Sequence, residues 1–387
     1  MTKLGNICNI LNGYAFKSEK YVDSGIRVIR ITNVQKGYIE DSEPKFYSFD
    51  YADELSRYIL ENGDLLMSLT GNVGRVGVLS EKFLPAALNQ RVACLRLKDN
   101  EIFKPFLFHF LNSDYFEQMC INASKGIAQK NLSTEWLKDV YIPDYSAEQQ
   151  EQIADTLDKV THTIDLCSAI LEKLDLLVKS RFVEMFGEVG TDPMGFGMKY
   201  LGEVCRINPK KTDDKRLRNG LEVSFIPMPA VSENGSIDTS EIRSYDDVKT
   251  GFTYFSEGDV LFAKITPCME NGKGAVAVGL CNQIGFGSTE FHVLRPLEGK
   301  SNPYWLYTIT SFERFRKEAE RKMTGSAGQR RVPAKFLEQY TVSVPPIELQ
   351  EQFAAFVAQT DKSKLAVKQV LEKAETLKKA LMQEYFG

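Results

Sequence analysis

The sequence lacks the features that mark several common protein classes. No apolar run approaches the ~20 residues of a membrane-spanning helix, and the N-terminus does not have the basic, then apolar, layout of a signal peptide. Neither a G-x-x-x-x-G-K-[ST] loop nor a G-x-S-x-G turn occurs, which argues against nucleotide hydrolysis and serine hydrolysis. We therefore expect a cytoplasmic protein without these catalytic sites.

Histidine is scarce and the cysteines form no motif. The chain has three histidines, far apart, and seven cysteines without a C-x-x-C pair. A disulfide framework or a zinc site needs closer groupings than these. We expect no metal site and interpret the cysteines as small core residues.

The chain also lacks an excess of positive charge. It has 387 residues, with 48 Lys and Arg against 52 Asp and Glu and a net charge of −4. Indiscriminate nucleic-acid binding normally requires a basic surface, so the composition argues against it. The length predicts two domains of roughly 100–200 residues each.

What the sequence does contain is an internal repeat. Short matches recur in the same order at offsets of 195 to 200 residues. They pair Leu4-Gly5 with Leu201-Gly202, Gly63-Asp64 with Gly258-Asp259, Pro105 with Pro303, Glu151-Gln152 with Glu351-Gln352, and Phe186-Gly187 with Phe386-Gly387. This period is too long for a solenoid, where repeats run to roughly 20–50 residues. The pattern indicates a duplicated domain.

The first part of each copy has a mixed α/β pattern. Alternating apolar residues around a Gly-rich turn predict one β-hairpin from 64–69 and 75–79 and another from 260–265 and 275–278. A proline suited to a first helical turn then opens an amphipathic stretch in each copy. We predict one helix over 105–121 and its counterpart over 303–320.

The last part of each copy predicts a long helix. Residues 148–186 contain no proline or glycine, and their apolar residues follow alternating spacings of four and three. Such a heptad stripe requires a helical partner, and the second copy supplies one, interrupted by Lys364 and Lys378. The ~39 residues at ~1.5 Å each span about 60 Å.

A glycine-bearing loop precedes this helix in each copy. Residues 124–132 and 324–332 each end in Gln, a cation and then an apolar residue that we expect to start a strand. Glutamine pairs with adenine, and Lys or Arg with guanine or phosphate. The alternative is an ordinary solvated loop.

The chain resembles the specificity subunit of type I restriction-modification systems. The resemblance rests on four features that follow one another in the same order in both copies, namely the glycine-bearing loop, an (I/V)-P segment, an E-Q-(I/F)-A helix start and the heptad helix. The resemblance implies an α+β fold with two tandem α/β target recognition domains, separated by two long helices that form an antiparallel coiled coil. In this sequence the recognition domains would be residues 1–145 and 188–345, and the conserved spacer helices 146–187 and 346–387.

The resemblance also implies a function. The chain would be non-catalytic, would read a bipartite double-stranded DNA target with one half-site per recognition domain, and would dock two methyltransferase subunits and restriction/translocase subunits. It would hold no cofactor, with S-adenosylmethionine, ATP and Mg bound by those partners. The helices would set the distance between the half-sites. Two alternatives remain open, a methyltransferase-fused fragment and a coiled-coil scaffold that binds only proteins.

Charge by segment refines the DNA hypothesis. Basic and acidic residues number 17 and 18 over 1–145, 4 and 8 over 146–187, 21 and 20 over 188–345, and 6 and 6 over 346–387. The net acidity thus belongs to the first long helix, while cations cluster locally over 206–218 and 314–331. The alternative for each predicted contact is an ordinary surface residue. The predicted DNA contacts are Asn72, Arg75, Lys125, Gln129, Lys130, Lys264, Asn271, Lys273, Gln329, Arg330 and Arg331.

Overall fold

The computed structural model describes residues 2–98, 102–124, 132–326 and 328–387. The chain divides into two compact units. Unit 1 comprises Met1–Cys167 and Gln369–Gly387, and unit 2 comprises Ser168–Lys368. Among the described residues, no helix is long and apolar enough to cross a membrane.

The described strands of unit 1 are β1 (Thr2–Lys3), β2 (Cys8–Asn12), β3 (Ile26–Ile29), β4 (Phe46–Tyr47), β5 (Leu65–Ser68), β6 (Val76–Val78), β7 (Ala86–Leu88), β8 (Val92–Leu97) and β9 (Tyr141–Ile142). They form a four-stranded antiparallel sheet, β2-β8-β5-β6, and a three-stranded sheet, β4-β3-β7, in which β3 and β7 are parallel. β1 and β9 pair as a separate two-stranded antiparallel sheet. The predicted hairpin is confirmed, since β5 and β6 pair in antiparallel register from Leu65↔Val78 to Met67↔Val76.

The helices that begin in unit 1 correct one prediction. The single helix expected over 105–121 is wrong, because the chain forms two helices that break at Asn112 and Ser113. Ser113 is extended and its hydroxyl accepts a hydrogen bond from the Phe116 amide, so it caps a new helix rather than continuing the first. The helices are α1 (Leu4–Ile7), α2 (Ala52–Leu55), α3 (Lys104–Leu111), α4 (Asp114–Ala123), α5 (Thr134–Lys138) and α6 (Ala147–Phe186).

Unit 2 repeats this plan. Its described strands are β10 (Met198–Tyr200), β11 (Cys205–Ile207), β12 (Glu222–Ile226), β13 (Ile242–Ser244), β14 (Thr253–Ser256), β15 (Val260–Ala263), β16 (Gly274–Val276), β17 (Ile284–Gly287), β18 (Phe291–Pro296) and β19 (Thr341–Ser343). The four-stranded antiparallel sheet is β11-β18-β15-β16, and a second sheet is β13-β12-β17-β14, in which β12 and β17 are parallel. The second predicted hairpin is confirmed by the β15–β16 pairing.

The helix expected over 303–320 is wrong in the same way. It divides at Phe312, whose extended backbone (ψ 138°) ends the first helix and precedes the second. Asn302 caps the first of these two helices by accepting a hydrogen bond from the Tyr304 amide at 2.9 Å. The helices are α7 (Leu201–Val204), α8 (Tyr245–Val248), α9 (Pro303–Ser311), α10 (Glu313–Lys322), α11 (Ala334–Gln339) and α12 (Ile347–Phe386).

The repeated Gly-Asp motif holds the same contact in both units. Asp64 accepts two hydrogen bonds from Arg96 at 2.9 and 2.6 Å. Asp259 accepts two from Arg295 at 2.8 and 2.6 Å, and a third from the Ser256 amide at 2.7 Å. Both aspartates are buried, so each pair ties the entry of one hairpin strand to the neighbouring strand.

The long helices are confirmed as α6 and α12, and they pack antiparallel. In unit 1, the last residue of α12, Phe386, lies against Phe106 and Phe110 at ring-centroid distances of 5.5 and 5.8 Å. Near the start of α6, the Tyr145 hydroxyl donates to the Tyr385 carbonyl at 3.1 Å. The beginning of one helix and the end of the other therefore share the core of unit 1.

Unit 2 holds the opposite ends of the two helices. Phe353 near the start of α12 packs on Phe182 and Phe186 at the end of α6, at centroid distances of 5.5 and 5.6 Å. Lys364, which interrupts the heptad stripe, bonds Asp175 at 2.7 Å. Its side chain is only 17% exposed, so an ion pair replaces an apolar contact at this position.

A buried glutamine fixes the start of each long helix. Gln150 accepts a hydrogen bond from the Phe103 amide at 3.0 Å and donates to the Tyr145 carbonyl at 2.9 Å. Two hundred residues later, Gln350 accepts from the Asn302 amide at 2.9 Å and donates to two carbonyls at 3.1 and 2.9 Å. In each unit this side chain links a long helix to the residue that precedes another helix, α3 in unit 1 and α9 in unit 2.

Candidate nucleic-acid interface

The second glycine-bearing loop lies beside the second hairpin. Its two ends pair with each other, Thr324 with Arg331, and Arg331 also pairs with Ile265, just beyond β15. The Val332 amide donates to the Lys264 carbonyl at 2.9 Å. The structure thus brings Lys264, Arg330 and Arg331 together from two separate predicted motifs.

Arg331 is engaged by an acidic side chain in this structure. Its guanidinium donates to both carboxylate oxygens of Glu290, at 2.9 and 2.8 Å. The bond with Arg331 holds the pKa of Glu290 below its usual value. Because a fork-to-fork pair fixes the guanidinium plane, Arg331 is oriented before any ligand arrives.

Arg330 has looser partners. Its Nη2 lies 3.5 Å from a Glu270 carboxylate oxygen and 3.6 Å from one of Glu320. Gln329 is exposed, and its carbonyl accepts from Arg331 Nη1 at 3.0 Å. The Gln329 amide side chain is therefore presented on a loop whose backbone Arg331 supports.

The tip of the second hairpin presents two further predicted residues. Asn271 is exposed, whereas Lys273 is half-buried with its ammonium 3.5 Å from the Met228 carbonyl. Gly272 between them has φ +85°, and a Cβ there would lie 1.7 Å from Arg316 Nη1. Glycine at this position leaves room for the arginine to pack against the tip.

Copy one places its hairpin residues similarly. Asn72 is exposed at the turn, and its carbonyl accepts a hydrogen bond from the Ser68 hydroxyl. Arg75 is half-buried and donates to Gln35 Oε1 at 2.7 Å. The other predicted contacts of this copy, Lys125, Gln129 and Lys130, lie outside the described residues.

The apolar residue that ends each loop does not start a strand, so that expectation is wrong. Leu132 and Val332 instead precede α5 and α11, each with one residue in between. Ser133 caps α5 by accepting from the Glu135 amide at 3.1 Å, and Pro333 precedes α11. The two copies share one backbone hydrogen bond here, which we call the anchor. The Leu132 amide donates to the Leu69 carbonyl at 2.8 Å, and the Val332 amide donates to the Lys264 carbonyl.

A cavity adjoins each hairpin. In unit 1 it measures about 800 Å³ and is lined among others by Asn12, Thr70, Gln90 and Arg91. In unit 2 a cavity of about 630 Å³ is lined by Lys264 together with Lys210, Lys211 and Lys249. Apart from Lys264, these residues are absent from the predicted contacts. The run of cations over 206–218 was the only sequence signal for any of them.

The buried histidines make hydrogen bonds within the protein. His109 Nε2 lies 2.8 Å from Asp158 Oδ1, and His292 Nε2 lies 2.8 Å from the Val332 carbonyl. Burial lowers the pKa of both imidazoles. Across the described part of the chain, no group of three or more His, Cys, Asp or Glu could hold a metal ion.

Two copies of a mixed α/β domain, each with a hairpin beside which residue 132 or 332 is anchored by a backbone hydrogen bond, together with two long paired helices, define a duplicated α/β fold. A sequence model of the type I restriction modification DNA specificity domain matches residues 1–176 and 193–376. The chain belongs to this family.

Individual relatives agree with the family. The chain is 44% identical over 164 residues to the type I restriction enzyme EcoAI specificity subunit of Escherichia coli, and 41% identical over 158 residues to the EcoEI specificity subunit of the same species. These matches cover 41% and 40% of this chain but only 27% and 26% of those relatives.

A solved structure matches the fold along the whole chain. It is the S subunit of a type I restriction-modification system from M. genitalium, with a TM-score of 0.56 and 13% identity. The match covers 100% of this chain and 95% of the other. At this identity the likeness concerns the fold.

Proposed function

We propose that this chain is the DNA-reading subunit of a type I restriction-modification complex and recognises a bipartite duplex target. Residues 1–145 would read one half-site and 188–345 the other, with spacer helices at 146–187 and 346–387. The observation that carries the proposal is the duplicated anchor, in which residues 132 and 332 bind the carbonyls of Leu69 and Lys264 beside equivalent hairpins.

The polar side chains at these anchored places suit base-edge and phosphate contacts. Asn72, Asn271 and Gln329 are exposed, and an amide can make a bidentate pair with adenine in the major groove. Arg75, Arg330 and Arg331 are held by protein acceptors in this structure, so DNA contact would require an exchange of partners. We expect the amides to carry sequence information and the arginines to position phosphate.

The long helices would receive the partner subunits. In unit 2, Leu176, Leu177 and Leu365 are 63, 47 and 59% exposed, and in unit 1 Leu377 is 49% exposed. Leu177 and Leu377 are equivalent residues of the repeat. Equivalent apolar positions on both helices favour two methyltransferase subunits, one bound to each unit.

We propose that the chain contributes no catalytic group of its own. S-adenosylmethionine, ATP and Mg would be bound by the methyltransferase and restriction subunits. The chain would then act by placing the partners' active sites at a chosen sequence.

The half-site assignment is tested by replacing Gln329 with alanine. The complex, reconstituted with a candidate methyltransferase subunit, would be assayed for methylation on a random-sequence library. Loss of one bidentate pair is worth about 1–3 kcal/mol of base discrimination, so we expect relaxed specificity in one half-site only. Gln339→Ala, another exposed glutamine of unit 2, is the matched control.

The same assay separates the alternatives. Equal weakening on all sequences would mean that Gln329 positions phosphate. A protein-binding scaffold would show no salt-dependent DNA affinity even with partners present. Binding of S-adenosylmethionine by this chain alone would favour a methyltransferase fragment.

A further inference from the structure

The cavity of about 630 Å³ in unit 2 has an unusual charge. It lies between the turn after β11, residues 249–254 and the end of β15. Four lysines line it, and among the described lining residues there is no acidic side chain. The lysines are Lys210, Lys211, Lys249 and Lys264.

Three carboxylates close to lining residues of this cavity have partners. Asp246 binds Lys249 at 3.0 Å, and Glu290 binds Arg331 at 2.8 Å. Asp214 accepts from Arg216 and from the Tyr254 hydroxyl, both at 2.7 Å. Glu290 also interacts electrostatically with Lys264, but both of its carboxylate oxygens are bound by Arg331.

The ammonium groups of Lys211 and Lys249 are bound by other protein groups, whereas that of Lys264 is bound by none of the described residues. Lys211 donates to the Lys249 carbonyl, and Lys249 pairs with Asp246. Within the described part of the chain, the Lys264 side chain makes no hydrogen bond or ion pair. It is half-buried, and burial lowers the pKa of its ammonium group. Glu290 acts on this ammonium group electrostatically but does not bond it directly. A partly desolvated ammonium group with no directly bonded counter-ion favours an anion from outside.

The rim of the cavity is rigidly built. Asn208 has φ +50°, in the left-handed region that asparagine tolerates better than most residues. Its Oδ1 accepts from the Val293 amide at 3.0 Å, and its Nδ2 lies 3.0 Å from His292 Nδ1. These bonds hold the turn that leads into Lys210 and Lys211, so the cavity is largely preorganised.

We propose that this cavity binds a backbone phosphate of duplex DNA beside the half-site read by copy two, with Lys264 as its main contact. The inference rests on the proposed function and names a phosphate-positioning residue within it. A lysine ammonium acts as a compact point charge, which suits a phosphate oxygen. Copy one has Leu69 at the equivalent anchor, so this contact belongs to copy two.

The test compares Lys264→Gln and Lys264→Leu in the reconstituted complex with methyltransferase subunits. Lys264→Leu introduces the residue that copy one carries at this position. The control is Lys300→Gln. Lys300 follows Pro296 at the far end of β18, and that end lies about 17 Å along the strand from Phe291, which pairs with the neighbour of Lys264. Affinity would be measured from 50 to 200 mM salt, on a duplex with the mapped target and on an unrelated duplex.

Removing one phosphate contact should reduce the slope of log affinity against log salt by about 0.9. Raising the salt from 50 to 200 mM lowers the affinity by some factor, and this factor should be roughly three times smaller for both Lys264 variants than for the parent. The loss should be similar on both duplexes, and Lys300→Gln should match the parent.

Two results would overturn the inference alone. Either the Lys264 variants keep the parental salt slope, or methylation mapping shows a changed base preference in one half-site, which would make Lys264 a base reader. If the parent complex itself binds duplex DNA without salt dependence, the proposed function fails as well. The parent complex thus distinguishes the two failures.

Discussion

Because the Asp259–Arg295 pair is buried within unit 2, we expect that breaking it destabilises unit 2 and leaves the stability of unit 1 unchanged. Asp259→Asn removes the carboxylate from two arginine bonds at 2.8 and 2.6 Å and weakens the bond from the Ser256 amide. Breaking a buried pair by removing one partner costs about 3–5 kcal/mol. The Arg295 side chain remains 26% exposed and Asp259 only 2%, so water can partly solvate the guanidinium. We therefore expect about 3 kcal/mol, at the low end of that range.

Hydrogen–deuterium exchange measures this loss for each unit separately. A local destabilisation of about 3 kcal/mol corresponds to a roughly 150-fold fall in amide protection. We expect this fall in β15 and β18, while β5 and β8 keep their protection. Asp64→Asn is the matched variant and should reverse the pattern, since Asp64 makes the same contact with Arg96.

Two outcomes would refute this reasoning. If Asp259→Asn lowers protection by less than about fivefold, corresponding to about 1 kcal/mol, the pair contributes no more than an exposed ion pair. If either variant loosens both units equally, the units do not behave as separate folding units.

Three further predictions follow from other contacts. Gln350→Ala should lower the unfolding free energy of unit 2 by about 1–3 kcal/mol, because buried hydrogen-bond partners are left unmatched; exposed Gln352→Ala should not, and urea unfolding compares them. Burial lowers the pKa of His292, so the unfolded state takes up the proton first and stability should fall as the pH drops below about 6.5. His292→Gln should flatten that pH dependence in unfolding titrations. Leu177→Glu should weaken methyltransferase-subunit binding roughly tenfold by calorimetry, because a leucine loses its apolar contact, while unchanged affinity would exclude Leu177 from the docking surface.

The sequence was sufficient to predict the repeat and the long helices. Two hundred residues separate Phe186 from Phe386, and heptad spacing without proline or glycine leaves few alternatives to a paired helix. Lys364 and Lys378 interrupted that pattern. The structure explains Lys364 by its ion pair with Asp175, a contact between helices that spacing within one helix does not predict.

Local capping explains the wrong helix boundaries. The apolar period continues through Ser113, but a serine hydroxyl that accepts from the Phe116 amide favours a new helix start. In the second copy, the extended backbone of Phe312 has the same effect without a side-chain cap. The apolar periodicity predicted which face of each helix is buried, but it did not predict where each helix ends.

The candidate site was predicted in part because its members are near in sequence. Gln329, Arg330 and Arg331 share one loop, and Lys264 reaches them through strand pairing. Long-range partners were not predictable, since Glu290 lies 41 residues from Arg331. Lys249 joins the unit 2 cavity for the same reason, because folding brings it beside Lys210 and Lys211.

We propose that each half of this chain reads its own part of one DNA target. The most direct test of this proposal is methylome sequencing of cells that express the chain with a matching methyltransferase subunit, with the parent compared with Gln329→Ala. We expect one bipartite motif with an unspecified spacer, and a change confined to one half-site in the variant. A single continuous motif, or a variant that alters both half-sites together, would contradict it.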